Sequence, residues 1–198
     1  MKRLIILLFA LFTVPAVAGS PGPGTTSVKA ANDKISHLLK QKVAAGSKEE
    51  KDLAGKVTGS VRDFLDIDEL GKRALADQWA KITPAQQTEY LTTLRALIEV
   101  NYIKGLRSNL DYTVDYTGES LEAGNVVVAT QINTKRHNRP YKIEVDYVLK
   151  KDGDKLKAWD VKTDGVGLVE NYKAQFNKIV EKDGFTGLIS KMKKKLQG

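Results

Sequence analysis

Few residues in this 198-residue chain have the type and spacing that catalysis or metal binding requires. His37 and His137 are its two histidines, and neither has an i, i+4 partner or lies in an H-E-x-x-H helix. The absence of cysteine rules out disulfides and cysteine-ligated metals. Neither a G-x-S-x-G elbow nor a phosphate-binding P-loop occurs. The sequence therefore predicts a protein that is not an enzyme and that uses no cofactor and no metal.

Two weaker signals are open to a catalytic interpretation. Glu144 and Asp146 project from one face of a predicted strand and could act as an acid and a base, although solvated carboxylates on strands are much commoner. The segment 165–167 reads G-V-G after a strand, as in a dinucleotide-binding loop. It lacks the third glycine and the parallel βαβ unit that such a loop needs.

Basic residues are concentrated in two places, and the formal net charge is +8. One cluster, 135–139, contains Arg136 and Arg139 at a predicted hairpin tip, and the other lies at 191–195 near the negative end of the last helix. Solvated surface is the ordinary interpretation of both clusters. The alternative is docking of Arg136 and Arg139 to an acidic partner, with transient contact to an anionic membrane surface.

The first eighteen residues have the pattern of a secretory signal peptide. Lys2 and Arg3 precede an apolar run over 4–14, and Ala16 and Ala18 are the small residues that a signal peptidase reads. The run is too short for a membrane-spanning helix, which needs about twenty residues. We expect cleavage after Ala18, a flexible leader over 19–26 and a single domain over 27–198. Export makes nucleic acid the least favoured partner.

The domain divides into a helical part, 27–108, and a part with strands and closing helices, 111–198. Capping-box patterns at Ser47, Asp66 and Thr83 predict the starts of three helices, the last of them long. From Asp111 the apolar period changes to two, which predicts strands over 112–117, 126–133, 141–150 and 156–164. Short turns join them. The fold class is therefore α+β, with an antiparallel four-stranded sheet packed with the helical N-terminal part and two C-terminal helices.

The stretch from Trp159 to Phe176 has a large apolar face and no obvious nucleophile or metal ligand. Trp159, Val161 and Thr163 alternate along a strand, and an apolar stripe then recurs at helical spacing. This pattern indicates a protein that holds an apolar ligand.

Within this stretch, the run D-V-x-x-x-G-V-x-L-V-x-N-Y-x-x-Q-F at 160–176 resembles the C-terminal signature of the periplasmic lipid-binding proteins of the Mla (maintenance of lipid asymmetry) transport system, also called the toluene-tolerance family. Further matches lie earlier in the chain, in the order that the family shows, at 64–67, Trp79, 83–86 and 140–149. The resemblance covers roughly residues 28 to 196. The chain departs from the pattern at Gly167, where serine is usual, and at Lys173, where arginine is usual.

The resemblance implies an NTF2-like fold, in which a curved sheet and the helices enclose an apolar cavity. It also implies a monomeric phospholipid carrier in the periplasm. Such a carrier moves lipid between an inner-membrane ABC transporter complex and an outer-membrane lipoprotein complex; hopanoids are an alternative ligand. We expect Asn171 and Lys173 near the head group at the mouth of the cavity. The expected lipid-binding walls are apolar side chains of the long helix, the sheet and the closing stretch: Leu94, Ile98, Tyr102, Leu106, Val128, Ile143, Val145, Tyr147, Val161, Val166, Val169, Tyr172 and Phe176.

Two other functions fit a curved sheet covered by helices. An exported enzyme resembling ketosteroid isomerase would need a buried carboxylate in a small pocket with a polar end. A ligand-free adaptor of the envelope would use its basic tips to dock other proteins.

Overall fold

The computed structural model describes residues 21–44, 46–108 and 111–197, and it describes side chains for all of these except 101–108. The predicted signal peptide and the first two leader residues lie outside this part of the chain. Within the described residues, no helix is both long enough and apolar enough to cross a membrane.

The N-terminal half is helical, as the sequence predicts. It contains α1 (Pro23–Leu39), α2 (Lys48–Phe64), α3 (Ile67–Leu75), a short 3-10 helix (Ala76–Lys81) and α4 (Pro84–Ser108). The three predicted caps are present: Ser47, Asp66 and Thr83 each accept a hydrogen bond from the backbone N–H three residues further on. Local sequence therefore fixes where α2, α3 and α4 begin.

The first helix begins earlier than expected. Residues 23–26 belong to α1 rather than to a leader, and Thr25 is buried. The N-cap residue Gly22 supplies no side-chain cap, and the carboxylate of Glu119 on the sheet accepts hydrogen bonds from the N–H groups of Gly24 and Thr25 instead. Pro23 at the first helical position is a local start signal, but the cap of this helix end comes from a partner 94 residues away.

The second half forms an antiparallel meander of five strands, not four. They are β1 (Thr113–Glu122), β2 (Asn125–Arg136), β3 (Arg139–Asp152), β4 (Lys155–Thr163) and β5 (Val166–Gly167), in spatial order β1-β2-β3-β4-β5. The fifth strand has two residues, too few for alternation to reveal it. Register shifts at 116–118 and 148–149 mark bulges. Bulges bend and twist strands, which fits the open curved shape of this sheet.

A broken helix, α5 (Leu168–Gln197), closes the chain. Gly184 has φ 69° and ψ −179°, which divides α5 into the two helical segments that the sequence predicts. Packing of α5 is mainly against α3 and α4. The α2–α3 junction lies beside β4, where the Asp66 N–H donates to the carbonyl of Ala158 at 2.8 Å. One hydrophobic core thereby joins all five α-helices to the sheet.

Candidate functional site

One face of the sheet brings together the strand residues predicted as walls. Val128 on β2 stands directly opposite Tyr147 on β3, which in turn stands opposite Val161 on β4. Val145 and Ile143 follow at steps of two from Tyr147, so all five side chains share this face, here called the inner face. Val128, Val145 and Tyr147 are buried, and Ile143 and Val161 are half-buried.

Tyr147 anchors the inner face to the helices. Its ring lies 5.7 Å from the ring of Phe64 in α2, measured between centroids. Burial raises the pKa of Tyr147 to about 12, because the phenolate would lose its hydration. Nearby, the Asn32 side chain of α1 donates to the Tyr116 hydroxyl at 3.2 Å. The inner face is thus apolar, with a few hydrogen-bonded polar groups.

The helical residues predicted as walls lie in a different environment. Leu94 and Ile98 of α4 are buried in the core. Phe176 of α5 packs edge-on against Tyr90 at 5.9 Å and stacks with Tyr172 at 5.2 Å. These ring contacts make Phe176 and Tyr172 part of the solid packing between α4 and α5. The side chains of Tyr102 and Leu106 lie outside the described part of the molecule.

The turn into α5 contains two further predicted wall residues. Val166, in the two-residue strand β5, is 56% exposed, and its role as a wall stays a prediction. Val169 is half-buried, and its backbone N–H donates to the buried Asp160 carboxylate at 3.1 Å. Asp160 thereby caps the start of α5.

The polar residues singled out in the sequence lie at the surface. Asn171 and Lys173 are exposed on α5, and the Asn171 carbonyl accepts a hydrogen bond from Gln175. Arg136 and Arg139 stand opposite each other at the β2–β3 tip, with the Arg136 guanidinium 5.7 Å from the centre of the Tyr141 ring. The structure therefore places the two pairs on separate elements.

A groove of about 850 Å³ lies between α1, α2 and the sheet end that carries the β1–β2 and β3–β4 turns. None of the predicted wall residues whose side chains the structure describes lines it. Its lining consists of small and apolar side chains with charged residues among them: Pro21, Pro23, Thr26, Ser27, Ala30, Ala31, Lys34, Ser60, Asp63, Phe64, Leu121, Gly124, Val126, Leu149, Lys150, Lys151, Asp154, Lys155 and Leu156.

The floor of the groove continues the inner face. Val126 and Leu149 are directly paired and stand two residues from Val128 and Tyr147 respectively, on the same side of the sheet. Phe64 lines the groove and contacts Tyr147 as well. An apolar chain in the groove would therefore lie against the end of the predicted wall. The volume of the groove falls within the range of roughly 300–1,000 Å³ usual for ligand pockets.

Ion pairs stabilise the groove on the α3 side. The Lys150 ammonium lies 3.1 Å from Asp66 and 3.3 Å from Glu69. Burial alone would raise the pKa of both carboxyls, but their hydrogen bonds, including those with Lys150, hold each pKa below its ordinary value. Burial likewise opposes the charge on Lys150, yet the two carboxylates raise its pKa. Lys150 thus forms structural ion pairs within the protein.

Two buried carboxylates could have suggested acid–base chemistry. Glu99 forms a two-point ion pair with Arg62, and Asp160 caps α5. Neither residue lines the groove. Among the described residues, no group of three or more metal-ligating side chains is close enough to hold a metal ion.

Comparisons with known proteins give a consistent result. The family model described as MlaC protein matches residues 29–194. Among solved structures, the phospholipid-binding protein from Ralstonia solanacearum in complex with a phospholipid matches with a TM-score of 0.68 at 23% sequence identity. The match covers 89% of this chain and 98% of that chain, and at this identity it shows a shared fold. No curated protein sequence matches significantly.

Proposed function

The chain belongs to the MlaC family, and on that basis we propose that it is a soluble periplasmic carrier that binds phospholipid. The acyl chains of the bound phospholipid would lie in the groove and along the inner face of the sheet. The carrier would pass lipid between an inner-membrane ABC transporter complex and an outer-membrane lipoprotein complex.

The groove is the observation that carries this proposal. It opens to the surface, yet its floor is formed by Phe64, Val126 and Leu149, which adjoin the hydrophobic core. An apolar chain lying there would leave water without passing through tightly packed core. The similar Ralstonia solanacearum structure, which contains a phospholipid, supports the same class of ligand.

The energetics of lipid transfer explain why such a groove is needed. Each methylene removed from water gains about 0.8 kcal/mol, so two acyl chains exposed in an aqueous compartment would cost on the order of 20 kcal/mol. A carrier must hide most of that surface. It must also bind no more tightly than a membrane does, because delivery would otherwise fail. Direction must then come from partners that favour the loaded or the empty state.

Native purification followed by lipid extraction and mass spectrometry tests the proposal. We expect the purified protein to retain phospholipid. Ala30→Trp should reduce the bound lipid severalfold, because Ala30 lines the groove from the exposed side of α1 and an indole there would fill the space. Ala174→Trp is the matched control, because Ala174 is exposed on α5 and does not line the groove.

The possible outcomes separate the parts of the proposal. Wild-type protein free of lipid would contradict the carrier function. Lipid bound equally by wild type and Ala30→Trp would move the binding site away from the groove. Val145→Trp and Val169→Glu then test the walls predicted from the sequence, and circular dichroism reports whether each variant folds.

An enzyme of the ketosteroid-isomerase kind remains a distinct alternative, and an envelope adaptor is another. The enzyme would place a buried carboxylate in its pocket, whereas Glu99 and Asp160 are engaged in structural contacts outside the groove. The adaptor would carry no lipid after native purification. The lipid extraction therefore discriminates between the carrier and the adaptor.

A further inference from the structure

The rim of the groove differs in charge from its floor. The groove is lined by four lysines and two carboxylates: Lys34, Lys150, Lys151 and Lys155, and Asp63 and Asp154. Lys150 is held by Asp66 and Glu69, and the Lys34 ammonium lies 3.6 Å from Asp63. Two of the four lysines are thus neutralised within the protein.

Lys151 and Lys155 are the other two. Lys151 lies at the end of β3 and Lys155 begins β4, so the two flank the turn between these strands. Both are exposed, and neither forms an ion pair with a carboxylate of the described residues. Asp154, in the turn between them, offsets one of these charges. The β3–β4 side of the rim therefore has a net positive charge.

Apolar surface adjoins these lysines. Leu121 on β1 is 77% exposed and lines the groove, and Leu156 on β4 stands directly opposite Lys151. An amphiphile is the kind of molecule that such a site fits, because its chain can cover Leu121 and Leu156 while its charged end stays at the rim in water. The excess of lysine selects an anionic head group over a zwitterionic one.

We propose that the groove binds an anionic phospholipid, with an acyl chain on its apolar floor and the head-group phosphate at Lys151 and Lys155. The inference rests on the proposed lipid-binding function and adds to it the charge of the head group and its position. It also places the head group away from Asn171 and Lys173, which lie on α5 and do not line the groove.

Exposed lysines contribute modestly to such a preference. Ion pairs at a protein surface are weak, and salt screens them. Two lysines that each approach the head group should therefore favour an anionic lipid by about threefold to tenfold, while the chain supplies most of the affinity. We therefore expect the site to change the ratio of anionic to zwitterionic lipid bound to the protein, while the total amount of bound lipid stays the same.

A competition experiment measures this ratio directly. The protein is incubated with vesicles of phosphatidylcholine and phosphatidylglycerol in equal parts and re-isolated, and its bound lipids are quantified by mass spectrometry. Wild type should be enriched in phosphatidylglycerol. The double variant Lys151→Gln/Lys155→Gln should return to the vesicle proportion with unchanged total lipid, whereas Lys173→Gln should remain enriched.

Each failure has a separate meaning. Wild type without any lipid would overturn the proposed function itself. Lipid-loaded wild type and double variant with the same ratio would overturn the head-group assignment while leaving lipid binding intact. Loss of enrichment in Lys173→Gln alone would place the head group on α5 and would likewise overturn this assignment.

Glycerol phosphate serves as the chain-free probe of the same charge chemistry. It should bind far more weakly than phosphatidylglycerol, because it cannot cover the apolar floor. Binding of comparable strength in calorimetry would indicate a plain phosphate site and would contradict the proposal. High salt should reduce the phosphatidylglycerol enrichment of wild type toward that of the double variant.

Discussion

The carboxylate of Glu119 on β1 accepts hydrogen bonds from both the backbone N–H and the hydroxyl of Thr25 in the first turn of α1, at 2.7 and 2.8 Å. Gly24 adds a third donor at 3.1 Å. A Cβ at Gly24 would lie 2.5 Å from Val126, so glycine is needed for this close approach of α1 to β2. Because α1 forms one wall of the groove, the contact between Glu119 and Thr25 fixes the position of that wall.

Glu119→Gln should therefore destabilise the protein by about 1 kcal/mol, since the amide keeps one acceptor oxygen and turns an NH2 group toward N–H donors. Urea unfolding at neutral pH measures this change. Glu122→Gln is the matched control, because Glu122 is exposed near the end of the same strand. Equal stability of wild type and Glu119→Gln would show that the cap contributes nothing.

The same contact predicts a dependence on acid. Burial alone would raise the pKa of Glu119, but the donors of Thr25 and Gly24 hold it below the ordinary value of 4.5. A carboxyl with a lowered pKa in the folded state stabilises fully above its unfolded pKa, and this stabilisation is lost as pH falls through the folded pKa. The stability difference between wild type and Glu119→Gln should therefore shrink below about pH 4. A difference that stays constant to about pH 2 would contradict the assignment.

Alkaline pH should reduce the stability of the folded protein through its buried tyrosines. Burial raises the pKa of Tyr147 to about 12 and raises that of Tyr90 as well, so the folded state favours the neutral phenol. This stabilisation is complete below the unfolded pKa of about 10 and is lost as pH rises through the folded value. Wild type should lose on the order of 1 kcal/mol more than Tyr147→Phe between about pH 9 and about pH 11.

Urea unfolding at the two pH values gives this difference, and lysine titration cancels between the two proteins. Tyr141→Phe is the control, because it removes the same hydroxyl from a tyrosine that is exposed. The prediction fails if Tyr147→Phe and wild type lose the same free energy over this range.

Close packing at the start of α5 predicts the effect of a larger side chain at position 167. A Cβ at Gly167 would lie 2.6 Å from the Asp160 Oδ2 atom, and the Oδ1 atom of this buried carboxylate accepts the N–H of Val169. Gly167→Ala should therefore destabilise by about 1–3 kcal/mol, because the cap must move or the backbone must shift. Gly55→Ala is the contrasting variant: Gly55 lies in α2 with open space around its Cα, so the change should stabilise by roughly 0.5–1 kcal/mol. Thermal unfolding compares the two.

Local sequence predicts the parts of this fold that depend on local contacts. The caps at Ser47, Asp66 and Thr83 bind N–H groups three residues away. Alternation along β3, interrupted at Val148, predicts the face that buries Val145, Tyr147 and Leu149. The start of α1 at Pro23 depends on Glu119 instead, and the pairing of β5 involves only two residues. Pro23 at the first helical position is a local start signal for α1, but its cap is distant in sequence, and two residues are too few to show the alternation of a strand.

The candidate site was harder to predict for a related reason. An apolar stripe identifies residues that leave water, but it does not separate a packed core from a cavity wall. Phe176, which packs against Tyr90, and Val126, which lines the groove, therefore have the same sequence signal. The groove arises where α1, α2 and two turns leave a gap. Small side chains at Ser27, Ala30, Ala31 and Ser60 are a local hint of space among its described lining residues.

Docking through the β2–β3 tip is the last prediction. Arg136 and Arg139 stand opposite each other there, and no described carboxylate forms an ion pair with either. Arg136→Glu/Arg139→Glu should weaken binding to native inner-membrane vesicles by tenfold or more and should reduce its salt dependence, because attraction at the tip becomes repulsion. Lys40→Glu/Lys42→Glu makes the same change in net charge at two exposed positions just after α1 and serves as the control. Sedimentation with the vesicles measures binding. If both double variants weaken it equally, net charge alone governs docking and the tip has no specific role.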